Sequence, residues 1–249
     1  MSDLWRSASE ASGRFGAQAR SYDRYRPRYP ESVFDDIVRV AGIAEGAEVI
    51  EVGAGTGIAT EPLARRGFSV TAIEPSPEMA ALAELKLRGR GSVFVGRFED
   101  YPEPGPVQLI ASFNAWHWVD PGVAVDRAAE LLTPGCSLAL VWTEVVSWGG
   151  DAFEGRLAEI TGHPWVKRME HVEGSMRPLR SDPRFDDRLE LHHVFERTLD
   201  AETFLAVTKT YGGQWSDGQY EAIGRVIDAE CGGSVTKVED AAVYLWQRQ

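Results

Sequence analysis

The sequence predicts an α/β fold, a doubly wound and mostly parallel sheet of seven strands with helices on both faces. Short, nearly continuous apolar runs are typical of strands that are buried on both faces, and helical patterns lie between those runs. Strands that alternate with helices imply βαβ units and a parallel sheet, which binds ligands at the carboxyl ends of its strands. The predicted strands are residues 49–52, 69–74, 92–96, 107–112, 137–142, 189–195 and 242–246.

Capping residues mark the starts of three predicted helices. Ser76 and Asp120 each precede a proline, which combines a side-chain cap with the residue favoured at the first helical position. Ser216, with Gln219 three residues later, forms a capping-box signature. Residues 143–186 show no clean period, and we expect them to form an irregular helical insertion over the strand ends.

The composition limits the classes of partner. The formal net charge is −12, whereas nucleic-acid binders usually carry a basic face because phosphate contacts supply most of their affinity. The two cysteines, Cys136 and Cys231, lie far apart and suggest neither a metal site nor a disulfide framework. No signal-peptide core occurs, and no run approaches the roughly 20 apolar residues of a membrane span. We therefore expect a soluble, cytoplasmic protein without a metal and without nucleic-acid or membrane partners.

The central motif is the glycine loop after the first predicted strand. It reads Glu-Val-Gly-Ala-Gly-Thr-Gly at residues 51–57, and glycines let a backbone turn sharply and approach a ligand closely. The dinucleotide fingerprint is GxGxxG with a pyrophosphate on the helix N-terminus, but the spacing here is GxGxG. Glu51 would repel a pyrophosphate and would suit an ammonium group. The loop therefore indicates a nucleoside that carries an amino acid.

An acidic residue stands in register with this loop. Glu74 ends the second predicted strand, 17 residues after Gly57. A carboxylate at this place can accept hydrogen bonds from both hydroxyls of a ribose.

Together these features closely resemble the class I S-adenosylmethionine-dependent methyltransferases, which implies a Rossmann-like methyltransferase fold. The resemblance implies that S-adenosyl-L-methionine is the cofactor and that Phe98 and Glu99, after the third strand, contact its adenine, with Met79 packing on the ring. The implied cofactor-binding residues are Tyr22, Arg26, Glu51, Gly53, Ala54, Gly55, Thr56, Gly57, Glu74, Pro75, Met79, Phe98, Glu99, Asn114, Ala115 and His117.

The segment at residues 112–121 narrows the resemblance to the type-11 small-molecule enzymes, including the trans-aconitate methyltransferase-like enzymes. These carry a similar His-Trp followed by Asp-Pro, here His117-Trp118 and Asp120-Pro121. The Asn/Asp-Pro-Pro-aromatic motif of the nucleic-acid amino-methyltransferases is missing from this place. The acceptor is therefore expected to be a small molecule.

The N-terminal stretch at residues 15–30 is similar to a segment that closes over the cofactor in the same subfamily. Tyr22, Arg26 and Arg28 could bind the carboxylate end of the cofactor, or the two arginines could instead meet an anionic acceptor. The alternative is an amphipathic surface helix.

One domain is expected over residues 1–249. Its parts are an N-terminal helical cap (1–45), a cofactor-binding core (46–142), a substrate-cap insertion (143–186) and C-terminal strands and helices (187–249).

The acceptor site is the least specified part. His117 is the best placed catalytic base, although packing or a role beside the cofactor is the alternative. Acceptor choice is expected to reside in residues 143–186, with Tyr211 contributing. Candidate wall residues are Trp116, Trp118, Trp148, Trp165 and Trp215, and candidate anion-binding residues are Lys167, Arg168, Arg177 and Arg180.

The predicted function is methyl transfer to an oxygen, carbon or carboxylate of a small acceptor, by a monomer or homodimer. One alternative keeps the cofactor as a structural or electrostatic element for a non-methylating reaction such as cyclisation. A nicotinamide-dependent oxidoreductase and a non-catalytic binding module are the others.

Overall fold

In a computed structural model, residues 7–102, 105–164, 170–211 and 215–249 are described, and they form one seven-stranded sheet flanked by helices. The strands are β1 (Glu48–Val52), β2 (Ser69–Glu74), β3 (Gly91–Val95), β4 (Val107–Phe113), β5 (Leu132–Ser147), β6 (Phe185–Asp200) and β7 (Ser234–Arg248). Their order in the sheet is β3-β2-β1-β4-β5-β7-β6. The five strands from β3 to β5 pair in parallel, and β7 pairs antiparallel with both β5 and β6. The predicted doubly wound, mostly parallel sheet is confirmed.

The helices cover both faces of this sheet. The described residues form α1 (Ala8–Ala17), α2 (Ala19–Tyr25), α3 (Glu31–Ala41), α4 (Thr60–Arg65), α5 (Pro77–Leu87), α6 (Pro121–Leu131), α7 (Asp151–Thr161), α8 (Glu170–Ser181), α9 (Ala201–Lys209) and α10 (Asp217–Glu230). The predicted caps are confirmed, since the side chains of Ser76, Asp120 and Ser216 each accept a backbone N–H, and Ser216 forms the capping box with Gln219. Among the described residues no helix has both the length and the apolar character that crossing a membrane requires.

Two apolar cores sandwich the sheet, and a third lies under the late helices. Ile50, Ile110 and Leu140 face one core, and Val49, Leu109 and Val141 face the other. Neighbouring residues of one strand therefore enter opposite cores, which explains their nearly continuous apolar sequence. The third core joins α7, α9, α10 and the end of β5.

The structure differs from the sequence expectation after residue 142. β5 continues to Ser147 rather than giving way to the insertion, because it stays paired with β7 as far as Ser147 opposite Val238. The rest of the insertion supplies α7 and α8. β6 and β7 are also far longer than the apolar runs that predicted them, since their outer parts alternate between polar and apolar residues.

Candidate active site

A cavity of about 860 Å³ opens at the carboxyl edge of the parallel strands. Its size lies in the upper part of the range for small-molecule sites. We call one part the loop half, which is lined by Gly53, Gly55, Glu74, Met79, Phe98 and Glu99. The other part is the aromatic half, which is lined by Trp142, Trp148, Leu157, Tyr211, Trp215 and Tyr220.

The glycine loop joins β1 to α4 and forms the floor of the loop half. Its φ angles are +69° at Gly53, +58° at Gly55 and +79° at Gly57, a region that residues with a β-carbon rarely adopt. A β-carbon at Gly53 would collide with that of Ala115, two residues after the end of β4. At Gly55 no described atom lies within 4 Å of the place a β-carbon would take. The loop is thus tight against β4 and open to the cavity at Gly55.

Two other loop residues hold the loop in place and do not line the main cavity. A β-carbon at Gly57 would lie 2.9 Å from the Cα of Ala83, so this glycine lets α5 pack closely. Thr56 is fully buried, and its hydroxyl donates to the Asp23 carboxylate of α2 at 2.9 Å. Asp23 also forms an ion pair with Lys86 of α5. These contacts fasten the N-terminal helices to the glycine loop.

Glu74 ends β2 with its carboxylate fixed in the loop half. One oxygen accepts from the Gly55 amide and the other from the Ser76 amide, both at 2.8 Å. Burial raises the pKa of Glu74, against the effect of these two hydrogen bonds. Because each carboxylate oxygen has a second acceptor site, Glu74 can still accept from two hydroxyl groups of a ligand.

Apolar side chains flank the same half. Pro75, Met79 and Phe98 line the cavity, and Met79 and Phe98 are only 3% and 2% exposed. Phe98 packs against Trp116 with ring centroids 5.7 Å apart. Trp116 therefore belongs to the core and supports Phe98, rather than forming a wall of the acceptor site.

Glu99 is the second carboxylate of the loop half. It accepts a hydrogen bond from the Asp120 amide at 2.9 Å and forms an ion pair with Arg97. These two contacts fix its orientation beside Phe98.

Asn114 follows β4 with a φ of +56°, which asparagine tolerates better than most residues. Its side-chain oxygen accepts from the Thr143 amide at 2.8 Å, and its side-chain nitrogen donates to the Tyr29 hydroxyl at 2.8 Å. Asn114 thereby ties the N-terminal cap to β5 across the cavity.

His117 lines the cavity where the two halves meet. It lies in a 3₁₀ turn at Trp116–Trp118. Its Nδ1 accepts a hydrogen bond from the Trp142 indole at 3.4 Å, and its ring centroid is 5.0 Å from that of Trp118. The ring is thus oriented by its neighbours rather than mobile in solvent.

Arg26 brings a partly buried positive charge to the cavity. Its guanidinium lies over the rings of Tyr22 and Tyr211, at 4.8 Å and 3.9 Å from their centroids. One terminal nitrogen donates to the Thr210 carbonyl at 3.1 Å, whereas Nε is buried with no hydrogen-bond partner among the described residues. A buried N–H group of a charged side chain that is left unpaired is costly unless a ligand completes its hydrogen bond.

The other candidate cations lie elsewhere. Arg28 does not line the cavity, since it is largely exposed and forms an ion pair with Asp23. Arg177 is exposed, and Arg180 forms an ion pair with Glu173 on α8. Lys167, Arg168 and the candidate wall residue Trp165 lie outside the described residues.

Glu51 lies behind the glycine loop rather than in the main cavity. It is 1% exposed, accepts a hydrogen bond from the Thr60 hydroxyl, and lines an adjoining cavity of about 40 Å³ together with Ala54 and Thr56. Tyr22 and Arg26 line both cavities. Burial raises the pKa of Glu51 to about 8, against the effect of the Thr60 hydrogen bond.

This carboxyl group predicts how stability depends on pH. The folded chain holds a proton on Glu51 that the unfolded chain releases near its ordinary value of 4.5, so this contribution to stability is present below about pH 4.5 and is lost as the pH rises to about 8. The loss approaches about 1.4 kcal/mol per pH unit within that window. We expect Glu51→Gln, which keeps an acceptor for Thr60, to flatten the fall in unfolding free energy between pH 5.5 and 8, measured by urea denaturation. Parallel curves for the two proteins would contradict this ionisation state.

Several lining residues were not predicted from the sequence. Tyr29 lies in the N-terminal stretch at residues 15–30, but only the fold brings its hydroxyl to Asn114. Glu144 lies on the part of β5 assigned to the insertion, and Leu157 and Tyr220 lie on helices whose apolar faces resemble ordinary core. Trp148, Tyr211 and Trp215, which were predicted, do line the cavity.

Comparison with known proteins gives matches to methyltransferases. Residues 50–140 match a family described as a methyltransferase domain, of the type-11 group. An uncharacterised methyltransferase from Mycobacterium tuberculosis is 36% identical over 129 residues, which are 51% of this chain and 51% of that protein. The chain spans about half the length of the first curated relatives it matches.

Solved structures share the fold over most of the chain. A protein from Anaeromyxobacter dehalogenans, described as a candidate type II methyltransferase, is 25% identical with a TM-score of 0.66, and the match covers 90% of this chain and 98% of that one. An S-adenosylmethionine-dependent methyltransferase from Thiobacillus denitrificans, solved with S-adenosyl-L-homocysteine, is 14% identical with a TM-score of 0.51 over 90% and 94% of the two chains. The second likeness bears on the fold alone.

Proposed function

We propose that this chain transfers the methyl group of S-adenosyl-L-methionine to a small organic acceptor, since residues 50–140 match a family described as a methyltransferase domain. One observation carries the proposal. A single cavity is lined by the open glycine loop, by the fixed carboxylate of Glu74 and by Arg26, whose buried Nε has no hydrogen-bond partner among the described residues. A nucleoside that carries an amino acid has ribose hydroxyls that would donate to Glu74 and a carboxylate that would accept from Arg26.

The residues present fit such a cofactor at its amino-acid end. The Arg26 Nε is buried without a partner among the described residues, and a carboxylate would supply both the missing hydrogen bond and the opposite charge. Glu51, across the small adjoining cavity, is a suitable counter-charge for an ammonium group, whose arrival would favour loss of its proton. Tyr22 packs beside Arg26 and would close this end.

The nucleoside end has partners of matching chemistry. Glu74 offers acceptor sites to the ribose hydroxyls, and Met79 and Phe98 offer apolar faces to the adenine. Glu99, held by the Asp120 amide, would accept from the exocyclic amine. Pro75, Gly53, Asn114 and Ala115 shape the wall between these groups.

S-adenosylmethionine, when bound, supplies a methyl group already activated by its sulfonium sulfur. The chain's own task is therefore to align the acceptor and to exclude water. His117 stands where the two halves of the cavity meet. Because its Nδ1 accepts from Trp142, a neutral ring carries its proton on Nε2, so Nδ1 is already occupied and does not serve as the base.

Calorimetric titration tests the cofactor assignment directly. We expect S-adenosylmethionine and S-adenosylhomocysteine to bind with dissociation constants in about the micromolar range, and NADH not to bind. Binding of NADH without either of the other two would overturn the proposal. In turnover mixtures, mass spectrometry should detect S-adenosylhomocysteine and a product heavier by one methyl group. A product without that gain would indicate a non-methylating reaction such as cyclisation.

A further inference from the structure

The aromatic half of the cavity consists of flat, packed rings. Trp148 and Tyr211 meet edge to face with centroids 6.2 Å apart, and Trp215 and Tyr220 lie 5.4 Å apart. Trp148 and Tyr220 are only 4% and 6% exposed. Such rings favour stacked or edge-on contact with another ring, in addition to the burial of apolar area.

These walls are rigid because they continue into the third core. Trp148 packs edge to face on Phe204 at 5.4 Å, and Leu157 lies in the same core. A wall that is already packed loses little freedom when a ligand arrives, which favours binding of a rigid, flat molecule.

Charge on this half does not favour an anion. Among the described residues, Glu144 is a charged side chain on this half of the cavity, and it is acidic. Arg97 also lines the cavity, but it forms an ion pair with Glu99. Arg26 lies at the amino-acid end proposed for the cofactor. Lys237 is fully buried behind Tyr211 and already pairs with Glu239 at 2.7 Å.

Tyr211, which lines the cavity, carries a hydroxyl group with one hydrogen-bond partner already fixed. The Lys237 ammonium donates to the Tyr211 hydroxyl oxygen at 3.0 Å. Because an ammonium has donors only, Tyr211 does not donate its own hydroxyl proton to Lys237. That proton is left for an oxygen acceptor elsewhere, and a ligand oxygen in the cavity suits it.

From these observations we propose that the aromatic half binds an uncharged, planar aromatic molecule that carries an oxygen substituent. The identification of this molecule as the methyl acceptor rests on the function proposed above. It differs from the anionic acceptor that the sequence left open for Arg26 and Arg28, because the walls supply rings where such an acceptor needs cations.

A matched set of three probes tests the proposal on protein saturated with S-adenosylhomocysteine and on the free protein. The probes are 2-naphthol, its saturated analogue decahydro-2-naphthol, and the anion 2-naphthoate. We expect 2-naphthol to bind at least about 10-fold more tightly than either of the other two probes. Calorimetry and tryptophan fluorescence measure the three affinities. Equal or tighter binding of 2-naphthoate would overturn the proposal that the ligand is uncharged. Equal binding of the saturated analogue would overturn the proposal that the ligand is planar.

Two substitutions at one wall residue locate the site. Trp215→Leu should weaken 2-naphthol at least about 5-fold without changing the affinity for S-adenosylhomocysteine, and Trp215→Tyr, which keeps a ring, should retain most of the binding. Phe195→Leu removes a half-buried ring that does not line the cavity and should leave both affinities unchanged. Thermal unfolding of each variant reports whether it folds. Unchanged 2-naphthol binding in Trp215→Leu would overturn the assignment.

Failure of this inference is distinguishable from failure of the proposed function. If S-adenosylhomocysteine binds and 2-naphthol does not, the aromatic site is overturned and the cofactor site stands. If 2-naphthol binds as expected and S-adenosylhomocysteine does not, the aromatic site stands and its assignment to methyl transfer falls.

Discussion

Gly55→Asp is expected to weaken the binding of S-adenosylmethionine by at least about 100-fold while leaving a folded protein. A new side chain at this place meets no described atom within 4 Å, so it projects into the loop half of the cavity. Its carboxylate would stand near that of Glu74, which accepts from the Gly55 amide at 2.8 Å, and it would add both bulk and like charge where the nucleoside is proposed to lie. Calorimetric titration gives the affinity, and a loss of about 2.7 kcal/mol corresponds to 100-fold.

Gly89→Asp is the matched control. Gly89 also has a positive φ, +78°, and no described atom within 4 Å of a β-carbon, but it is exposed after α5 and does not line the cavity. Aspartate tolerates the left-handed region better than most residues, so both variants should lose similar, small amounts of thermal stability. Equal cofactor affinity in the two variants would show that the ligand does not approach the loop at Gly55.

Arg26→Met is expected to weaken S-adenosylhomocysteine by about 10- to 100-fold and to leave adenosine within about 3-fold of wild type. Hydrogen bonds to charged groups contribute roughly 1.5–3 kcal/mol, which converts to that range. Adenosine lacks the amino-acid part and would bind without using Arg26. Methionine keeps an unbranched chain between Tyr22 and Tyr211, which limits the change in packing. Both affinities are measured by calorimetry.

Arg28→Met controls for loss of a nearby arginine. Arg28 is two residues further on, largely exposed and bonded to Asp23, so its removal should change neither affinity by more than about 3-fold. An equal loss for S-adenosylhomocysteine and adenosine in Arg26→Met would mean that Arg26 acts only by holding the cavity together, which would contradict its proposed contact with the carboxylate.

The parallel half of the sheet was well predicted because its strands carry the information locally. The run at 69–74 coincides with β2, and no predicted bound of β1, β3 or β4 differs from the structure by more than one residue. Burial on both faces makes such strands continuously apolar. The antiparallel pair was underestimated because β6 forms the outer edge of the sheet, where alternate side chains remain exposed and polar residues such as Glu190 and His192 interrupt the pattern.

Among the residues that line the cavity, several that follow or end buried strands were predicted from the sequence, and several on distant helices and turns were not. Gly55 and Glu74 follow buried strands, so spacing along the chain was enough to place them together. Tyr29 and Tyr220 approach the cavity from helices and turns far away in the sequence. Their positions depend on how helices pack over the sheet, which no local pattern specifies.

The two halves of the cavity come from different lengths of chain, and this separation bears on how the protein can diverge. The loop half is built around residues 50–120, within the segment that matches the family, whereas every residue named for the aromatic half lies between 142 and 220. Substitutions in the later segment, apart from those at Thr210 and Tyr211, which contact Arg26, can therefore alter the acceptor site while the loop half keeps its own hydrogen bonds. Such a division allows the acceptor specificity to change while the cofactor-binding fold stays the same. A library of variants that seeks new acceptors should therefore concentrate on residues 148–220.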